Sequence, residues 1–517
     1  MEQIMTTLSS FFPSFTLFSI ILFSLYYTLY HLPNTKKQAL GFKTYPFLGT
    51  LPQFLANRHR FHDWSFEILS PLPTHTSVFF RPGKVHGIIT AYPPNVEHFL
   101  KTRFDNYPKG ARFISLLYDF FGTGIFNSDG HHWRHQRKTA SYEFNKTSLK
   151  NFVLESVRFE IKTRLIPIFI DASGSDRVLD LQDVLERFAF DNICKLAFDF
   201  DPGCLAGDGS GESEFMRAFE DATALSAGRF FYALPFIWKI KRFFNVGSEK
   251  RLRESIKTVH DFAEKIIRTR LEEISGENSR NVNSQDLLSR FISADDISKQ
   301  QDGNFLRDVV TSTILAGRDT TSSGLSWFYW LLSKHPDVLT KIRSEVGEVR
   351  TKAGKQVGDM YDFDDLREMN YLHAALSEAL RLYPPVPVDT RTCLEDDVFP
   401  DGTKIKKDWF VTYSTYGMGR MESIWGKDCL MFRPERWIDE NGCYKPENPF
   451  KYPVFHAGPR ICLGKEMAYL QMKSIVACVV EQFDVDIVEK EKCPQYLMSL
   501  TLRMKNGLPV KVKARQL

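Results

Sequence analysis

Phe455-His456-Ala457-Gly458-Pro459-Arg460-Ile461-Cys462-Leu463-Gly464 decides how the rest of this 517-residue chain is read. It is a loop rich in Gly and Pro that leads into an apolar helical pattern from Met467 to Val480. Cys462 therefore stands where loop becomes helix. A thiolate there is stabilised by the helix dipole and by backbone N–H groups left free in the first turn. Such a sulfur suits a metal better than a proton. Gly458 and Gly464 permit a tight turn and the close approach of a flat cofactor. Arg460 offers a planar fork that meets a carboxylate bidentately. A lone cysteine is more often a small buried hydrophobe, so the reading of Cys462 depends on the motifs upstream.

Asp302 to Lys334 reads as one long helix with Ala316-Gly317-Arg318-Asp319-Thr320-Thr321 in its middle. Gly, Asp and Thr are poor residues inside a helix. Threonine hydroxyls can divert bonds from the helical ladder and open a local groove. A hydroxyl and a carboxylate beside such a groove can hold water and pass protons. Further on, Glu378 and Arg381 share a helical face. Tyr383-Pro384-Pro385-Val386-Pro387-Val388 then ends that helix and begins an extended segment. Phe432-Arg433-Pro434-Glu435-Arg436-Trp437 follows. Earlier, Asp129-Gly130 is a capping signal for a helix on which Trp133 and Arg137 share a face.

In this order the motifs resemble the cytochrome P450 superfamily of haem-thiolate monooxygenases. Phe-x-x-Gly-x-Arg-x-Cys-x-Gly is the haem-binding loop of that group, and every fixed position is met here. The resemblance covers essentially the whole chain. It implies one large fold, mainly α with small antiparallel β-sheets, carrying haem b. Cys462 would be the axial ligand of the haem iron, with Phe455, Gly458 and Arg460 around it. Trp133, Arg137, Arg391 and Arg460 would neutralise the propionates. Asp319 and Thr320 would organise the protons that oxygen activation needs. Glu378, Arg381 and Arg436 would form a structural triad. The pocket would be lined by Phe113, Leu117 and Phe121, by Ala316, by Val386 and Val388, and by Leu500.

Three stretches narrow the resemblance to the plant fatty-acid ω-hydroxylase clan. They are Ala316–Thr321, Tyr416-Gly417-Met418-Gly419-Arg420-Met421 and Phe455–Arg460. Gly41-Phe42-Lys43-Thr44-Tyr45-Pro46 also fits that clan's branch acting on fatty acids and jasmonate conjugates. The implied reaction inserts one atom of O2 into an unactivated, terminal carbon of a lipophilic substrate, a fatty acid being expected first. A sterol side chain and a jasmonoyl conjugate are the alternatives. A haem-thiolate sensor or an isomerase is the rival of another class, and neither would need Asp319 and Thr320. No G-x-G-x-x-G fingerprint occurs in the chain, so electrons from NADPH must arrive through a separate flavoprotein reductase.

Phe11 to Tyr30 is uncharged and mostly apolar, and as a helix it spans about 30 Å. A cleaved signal peptide would have a basic start, yet the only charge before the run is Glu2. Lys36, Lys37 and Lys43 follow, which keeps the remainder cytosolic. The expected organisation is a single-pass anchor in the endoplasmic reticulum membrane over 1–32, a hinge over 33–50 and a monomeric catalytic domain over 51–517. Asn145-Lys146-Thr147, a glycosylation sequon, would then go unused. Phe230–Trp238, followed by Lys239, Lys241 and Arg242, suits a membrane interface. A net charge of +4 leaves no nucleic-acid signature. The eight cysteines form no Cys-x-x-Cys pair, so neither a disulfide nor a zinc framework is indicated. The 44 phenylalanines suit a large apolar core and pocket. Hairpins are expected from Ser77–Phe80 to His86–Thr90 around Pro82-Gly83, and from Leu500–Met504 to Leu508–Val512 around Asn506-Gly507. The Phe-rich stretch Lys109 to Phe126 reads as loop or short helices.

Overall fold

The computed structural model describes residues 41–516 except 84, 145–152, 176, 207–212, 276–285 and 294–303. The expected anchor, residues 33–40 of the hinge, the sequon Asn145 and the residue Asp302 lie outside the described residues. Among those described, no helix is long and apolar enough to cross a membrane.

The body is helical. Phe305–Lys334 runs through its centre as one unbroken helix of 30 residues, most of them buried. It crosses Leu181–Phe198, itself buried on nearly every face. Gly317 makes this crossing close, because a Cβ there would overlap the Ile193 side chain. The charged stretch after residue 248 is the helix Ser248–Ser275. Asn370–Leu382 and Lys465–Gln482 complete the layer under the Cys462 loop. The stretch from Lys109 is more regular than its sequence indicates. It forms the helix Gly110–Phe121, whose apolar residues recur at helical spacing and bury Leu116, Leu117, Phe120 and Phe121.

The sheets are small, but not all antiparallel. β1 (Thr76–Arg81) and β2 (Val85–Thr90) form the expected hairpin. β2 then pairs in parallel with β7 (Phe410–Ser414), which pairs antiparallel with β4 (Val388–Thr392). Parallel neighbours need a long crossover, and here most of the helical body lies between β2 and β7. β3 (Leu179–Asp180), β9 (Pro509–Ala514) and β8 (Phe483–Ile487) form a second, antiparallel sheet, and β5 (Asp397–Val398) pairs with β6 (Lys404–Ile405).

The hairpin expected around Asn506-Gly507 is only half formed. Gly507 takes the left-handed conformation with φ 68°, and β9 follows it. Residues 500–504 make no strand, because their backbone is already engaged. The Leu502 N–H donates to the Pro385 carbonyl, and the Leu502 carbonyl accepts from Ser323 Oγ and Trp327 Nε1. The Met504 N–H donates to Gln182. Buried backbone groups must be paired, and here two helices and the extended segment at Pro385 supply the partners a second strand would have offered.

Asp129 also acts differently from the capping signal. It occupies the position before Gly130–Ser141, but its side chain makes no cap bond to that helix. Its carboxylate instead accepts from the backbone N–H groups of Lys109 and Gly110, at the start of Gly110–Phe121.

Candidate active site

Three short segments hold Cys462. The Cys462 N–H donates to the Phe455 carbonyl at 2.8 Å, closing the loop. Phe455 packs its ring on Tyr469 of the following helix, centroids 5.3 Å apart. Gly458 has φ 67°, and a Cβ there would overlap the Leu100 carbonyl. The neighbouring turn His98–Thr102 therefore requires glycine at this position. Gly464 sits at φ −86° in an ordinary conformation.

Cys462 lies deep in the protein, and burial raises its thiol above the usual range, against the pull of the Gly464 N–H, Arg137 and Lys465. Its surface is nonetheless exposed. Ala316, on the otherwise buried central helix, is exposed too. Exposure at such depth means that both residues border an interior cavity. A metal ion at the sulfur reverses the effect of burial, since a coordinating thiol is deprotonated outright.

Beside the loop is a surplus of buried positive charge. Lys109 Nζ lies 2.6 Å from Asp389 Oδ1, and Arg391 Nη2 lies 3.1 Å from Asp389 Oδ2. Arg460 Nη2 donates to Asp129 Oδ1 at 2.8 Å, with its guanidinium 4.2 Å from the Trp133 ring centre. Arg137 Nη2 donates to the Ile461 carbonyl at 2.6 Å. Four cations thus face two carboxylates. The strain appears in their protonation. Burial, then Arg391, lowers Lys109 to about 7, and burial, then Arg391, lowers Arg460 to about 9. Although burial opposes it, Arg391 and Lys109 hold Asp389 well below the usual carboxylate range. Burial lowers His456 to about 4, so its neutral ring accepts at Nε2 from Arg391 Nη2, 2.6 Å away. Arg391 Nε and Arg460 Nε are buried with no acceptor. A group carrying two carboxylates and a thiolate-seeking metal satisfies all of this, and haem b is such a group. Trp133, Arg137, Arg391 and Arg460 come together as the motifs led one to expect. Lys109, Asp389 and His456 were not singled out as site residues. The alternation of Asp389 and Arg391 on one strand face was a usable signal.

On the central helix, Thr320 Oγ1 donates to the Ala316 carbonyl at 2.6 Å. The expected groove is therefore not a break in the helix but a hydroxyl bonded back onto it. Asp319 is buried, and burial raises its pKa to about 6 despite Arg318, whose Nη1 is 2.8 Å from Asp319 Oδ1. Arg318 continues to Glu186 Oε2 at 3.3 Å, and Arg503 bridges Glu186 at 2.6 Å and Glu220 at 2.8 Å. This row of charges had no local sequence signal.

Glu378 and Arg381 meet in two bonds of 2.7 Å, both side chains fully buried. Glu378 also accepts from the Arg433 N–H and Trp437 Nε1, with Arg436 Nε 3.4 Å away. Arg381 and Arg436 turn their remaining N–H groups to carbonyls of the stretch 419–431. Of the expected pocket residues, Val386 is exposed, while Phe113, Val388 and Leu500 are half-buried. Leu117 and Phe121 lie in the main core, leaving them almost no surface to line a cavity.

Residues 40–512 match the family described as Cytochrome P450. The chain is 53% identical over 468 residues to "Cytochrome P450 CYP94D108" of Paris polyphylla, covering 90% of this chain and 91% of that one. It is 45% identical over 480 residues to "Cytochrome P450 94A1" of Vicia sativa, covering 92% and 90%. It is 46% identical over 481 residues to "Cytochrome P450 94B1" of Arabidopsis thaliana, covering 92% and 91%. With an accessible cysteine in the haem-binding loop and a cation cluster suited to propionates, the chain belongs to the cytochrome P450 family and is a haem-thiolate monooxygenase.

Proposed function

We propose that this monooxygenase hydroxylates the terminal carbon of a fatty acid, drawing electrons from NADPH through a membrane-bound flavoprotein reductase. The reading is carried by the accessible Cys462 deep in the protein, flanked by the cation surplus, with Ala316 accessible on the central helix. Bound haem supplies the activation of dioxygen and the transfer of one oxygen atom to carbon. The chain does the rest. Cys462 Sγ ligates, and its anionic form is favoured by the Gly464 N–H, Arg137 and Lys465. Trp133, Arg137, Arg391, Arg460 and Lys109 hold the carboxylates of the cofactor. Asp319, titrating near 6, can take up and return a proton close to neutral pH. Thr320 Oγ1 retains lone pairs that can orient a water toward the cavity. Glu378, Arg381 and Arg436 keep the floor of the site in place.

A terminal methyl C–H bond is stronger than those inside the chain, so reaction there requires a channel that admits only the chain end. Phe113 against Phe230, centroids 5.6 Å apart, supports such a channel. We assign residues 1–32 to a single-pass anchor in the endoplasmic reticulum membrane, 33–50 to a hinge and 51–517 to a monomeric, cytosol-facing catalytic domain. The exposed Phe236, Ile240, Phe243 and Phe244 support contact with a lipid surface. The test is reconstitution with reductase and NADPH, offering fatty acids, jasmonoyl conjugates and sterols, with product identification. Terminal hydroxy acids are expected. Turnover of sterols alone would replace the substrate assignment. Conversion of a hydroperoxide without reductase as the sole activity would replace the reaction.

A further inference from the structure

Buried arginines in this protein have carboxylate partners almost everywhere. Arg229 is held by Asp119 and Glu249, Arg318 by Glu186, and Arg381 by Glu378. Arg420 lacks a carboxylate partner but donates to the Tyr416 carbonyl, whereas Arg81, the last residue of β1, has neither kind of partner among the described residues. It is 8% exposed, its guanidinium lies 3.9 Å from the Phe54 ring centre, and its Nη1 is buried with no acceptor. Arg112 stands near it on Gly110–Phe121, half-buried, its guanidinium 4.5 Å from the Phe410 ring centre. Among the described residues neither forms an ion pair. Burial, then the charge of Arg112, lowers Arg81 to about 10, and burial lowers Arg112 as well. A buried cation without a counter-ion is costly unless a ligand supplies one.

This pair is separate from the propionate cluster. Strand register places Phe79, Gly87, Phe410 and Thr392 side by side, so they share one face of the four-stranded sheet, and Arg81 follows Phe79 on that face by alternation. Arg391 pairs with Val411 and belongs to the opposite face. The surroundings of Arg81 are those of an entrance. Phe54 stacks on Phe231, centroids 5.9 Å apart, and a Cβ on Gly83 would press on Pro235. Phe231 and Pro235 belong to the aromatic connection that leads to Ile237–Phe244, whose Phe243 is 83% exposed. Two unpaired guanidinium groups thus lie just inside an apolar rim, each with one face covered by a ring.

We infer that Arg81 and Arg112 form the receptor for the substrate's carboxylate, at the opposite end of the substrate from the carbon that reacts. The inference rests on the fatty-acid reading above and gives it a mechanism of position. A guanidinium accepts a carboxylate in two parallel bonds, and Phe54 and Phe410 keep the forks from turning away. With the head group fixed at the entrance, the hydrocarbon chain extends inward and its far end is what meets the cavity. The same chemistry accommodates a jasmonoyl conjugate, which also carries a carboxylate, and gives a sterol nothing to pair with.

The test uses the full-length holoenzyme with reductase. Dodecanoic acid is compared with its methyl ester and with dodecan-1-ol, by spectral binding titration and by kcat/KM, in the wild type, Arg81→Gln, Arg112→Gln, the double variant and Arg81→Lys. Equal carbon-monoxide difference spectra establish that each variant carries haem normally. The wild type is expected to bind the acid about tenfold or more tighter than the ester, the worth of one charge-assisted pair. The double variant should lose that preference, with the ester's kcat/KM unchanged and product spread to carbons before the terminus. Arg81→Lys should keep part of it. Hydroxylation of acid and ester with equal kcat/KM by the wild type overturns the receptor and leaves the fatty-acid reading intact. Hydroxylation of neither overturns both. Retained acid preference in the double variant, with weakened binding to phosphatidylglycerol vesicles, would assign the two arginines to a lipid headgroup and also overturn the receptor.

Discussion

Asp319 is held in a state that favours protonation. Its pKa of about 6 exceeds the usual carboxylate value near 4 because burial disfavours the charge. In the window from about 4 to 6 the folded protein binds the extra proton, so stability falls as pH rises through it and stays at the lower level above it. Asp319→Asn should remove that slope and stabilise the protein at pH 7 by up to about 3 kcal/mol, Arg318 still having Glu186. Denaturant melts of the two proteins at pH 4.5 and 7 check the sign, and equal slopes would refute it. The gain should be accompanied by slowed turnover, because the group that can return a proton has gone. Thr320→Ala probes the neighbouring hydroxyl. Among the described residues its hydroxyl bonds to the Ala316 carbonyl alone, within its own helix, so fold and haem content should be unchanged. Losing a positioned proton-handling group costs roughly 10²–10⁴-fold in rate. NADPH should still be consumed while hydroxylated product per NADPH collapses, with reduced oxygen leaving unproductively. Tight coupling in the variant would show that Thr320 is not used in this way.

Helices here are positioned by single contacts. Gly317 allows Phe305–Lys334 to cross Leu181–Phe198 with Ile193 against its backbone. Gly317→Ala improves intrinsic helix propensity, yet the added methyl has no room. A loss of roughly 1–3 kcal/mol is expected, with recovery in Gly317→Ala/Ile193→Ala; thermal melts of the three proteins measure it. Glu378 carries more. It binds Arg381 in two bonds and accepts from Arg433 and Trp437. Glu378→Ala leaves Arg381 charged in a dry interior, at a cost of roughly 3–5 kcal/mol, and haem incorporation should fail. Normal haem absorbance in that variant would contradict this. These elements differ in how openly their sequences display them. The Cys462 loop, the central helix and the Glu378–Arg381 turn are local, with the residues that define them within a few positions of one another. The parallel pairing of β2 with β7 is not, since nothing near Gly87 specifies Phe410. Asp129 misleads for the same reason: its partners Lys109, Gly110 and Arg460 are distant in sequence. Leu117 and Phe121 follow the apolar pattern of a helix, and a pattern of that kind does not distinguish a core from a cavity wall.

For the molecule as a whole, the proposed anchor over 1–32 and the lysines that follow it set the orientation to be tested. Protease added to intact microsomes should digest the domain, and Asn145 should carry no glycan. A protected, glycosylated domain would mean that the protein faces the lumen. The described surface is consistent with one side meeting lipid, since Phe236, Ile240, Phe243 and Phe244 are exposed together around one short helix. Arg81 and Arg112 lie inward of that rim, so an amphiphile arriving from a bilayer meets hydrocarbon first and charge second.

The last strand has a consequence for how the protein is made. β9 pairs with β3 through Leu179↔Val510 and with β8 through Val485↔Val512. The Cys462 loop, too, lies in the final stretch of the chain. Protein synthesis proceeds at about 5–20 residues per second, so Leu179 leaves the ribosome well before the strand that closes over it. During that interval a helical body built around buried phenylalanines has neither its closing strand nor its thiol. Cofactor loading must therefore wait for the Cys462 loop, and a chain truncated shortly before β9 should keep its thiol yet leave β3 and β8 without the strand that joins them.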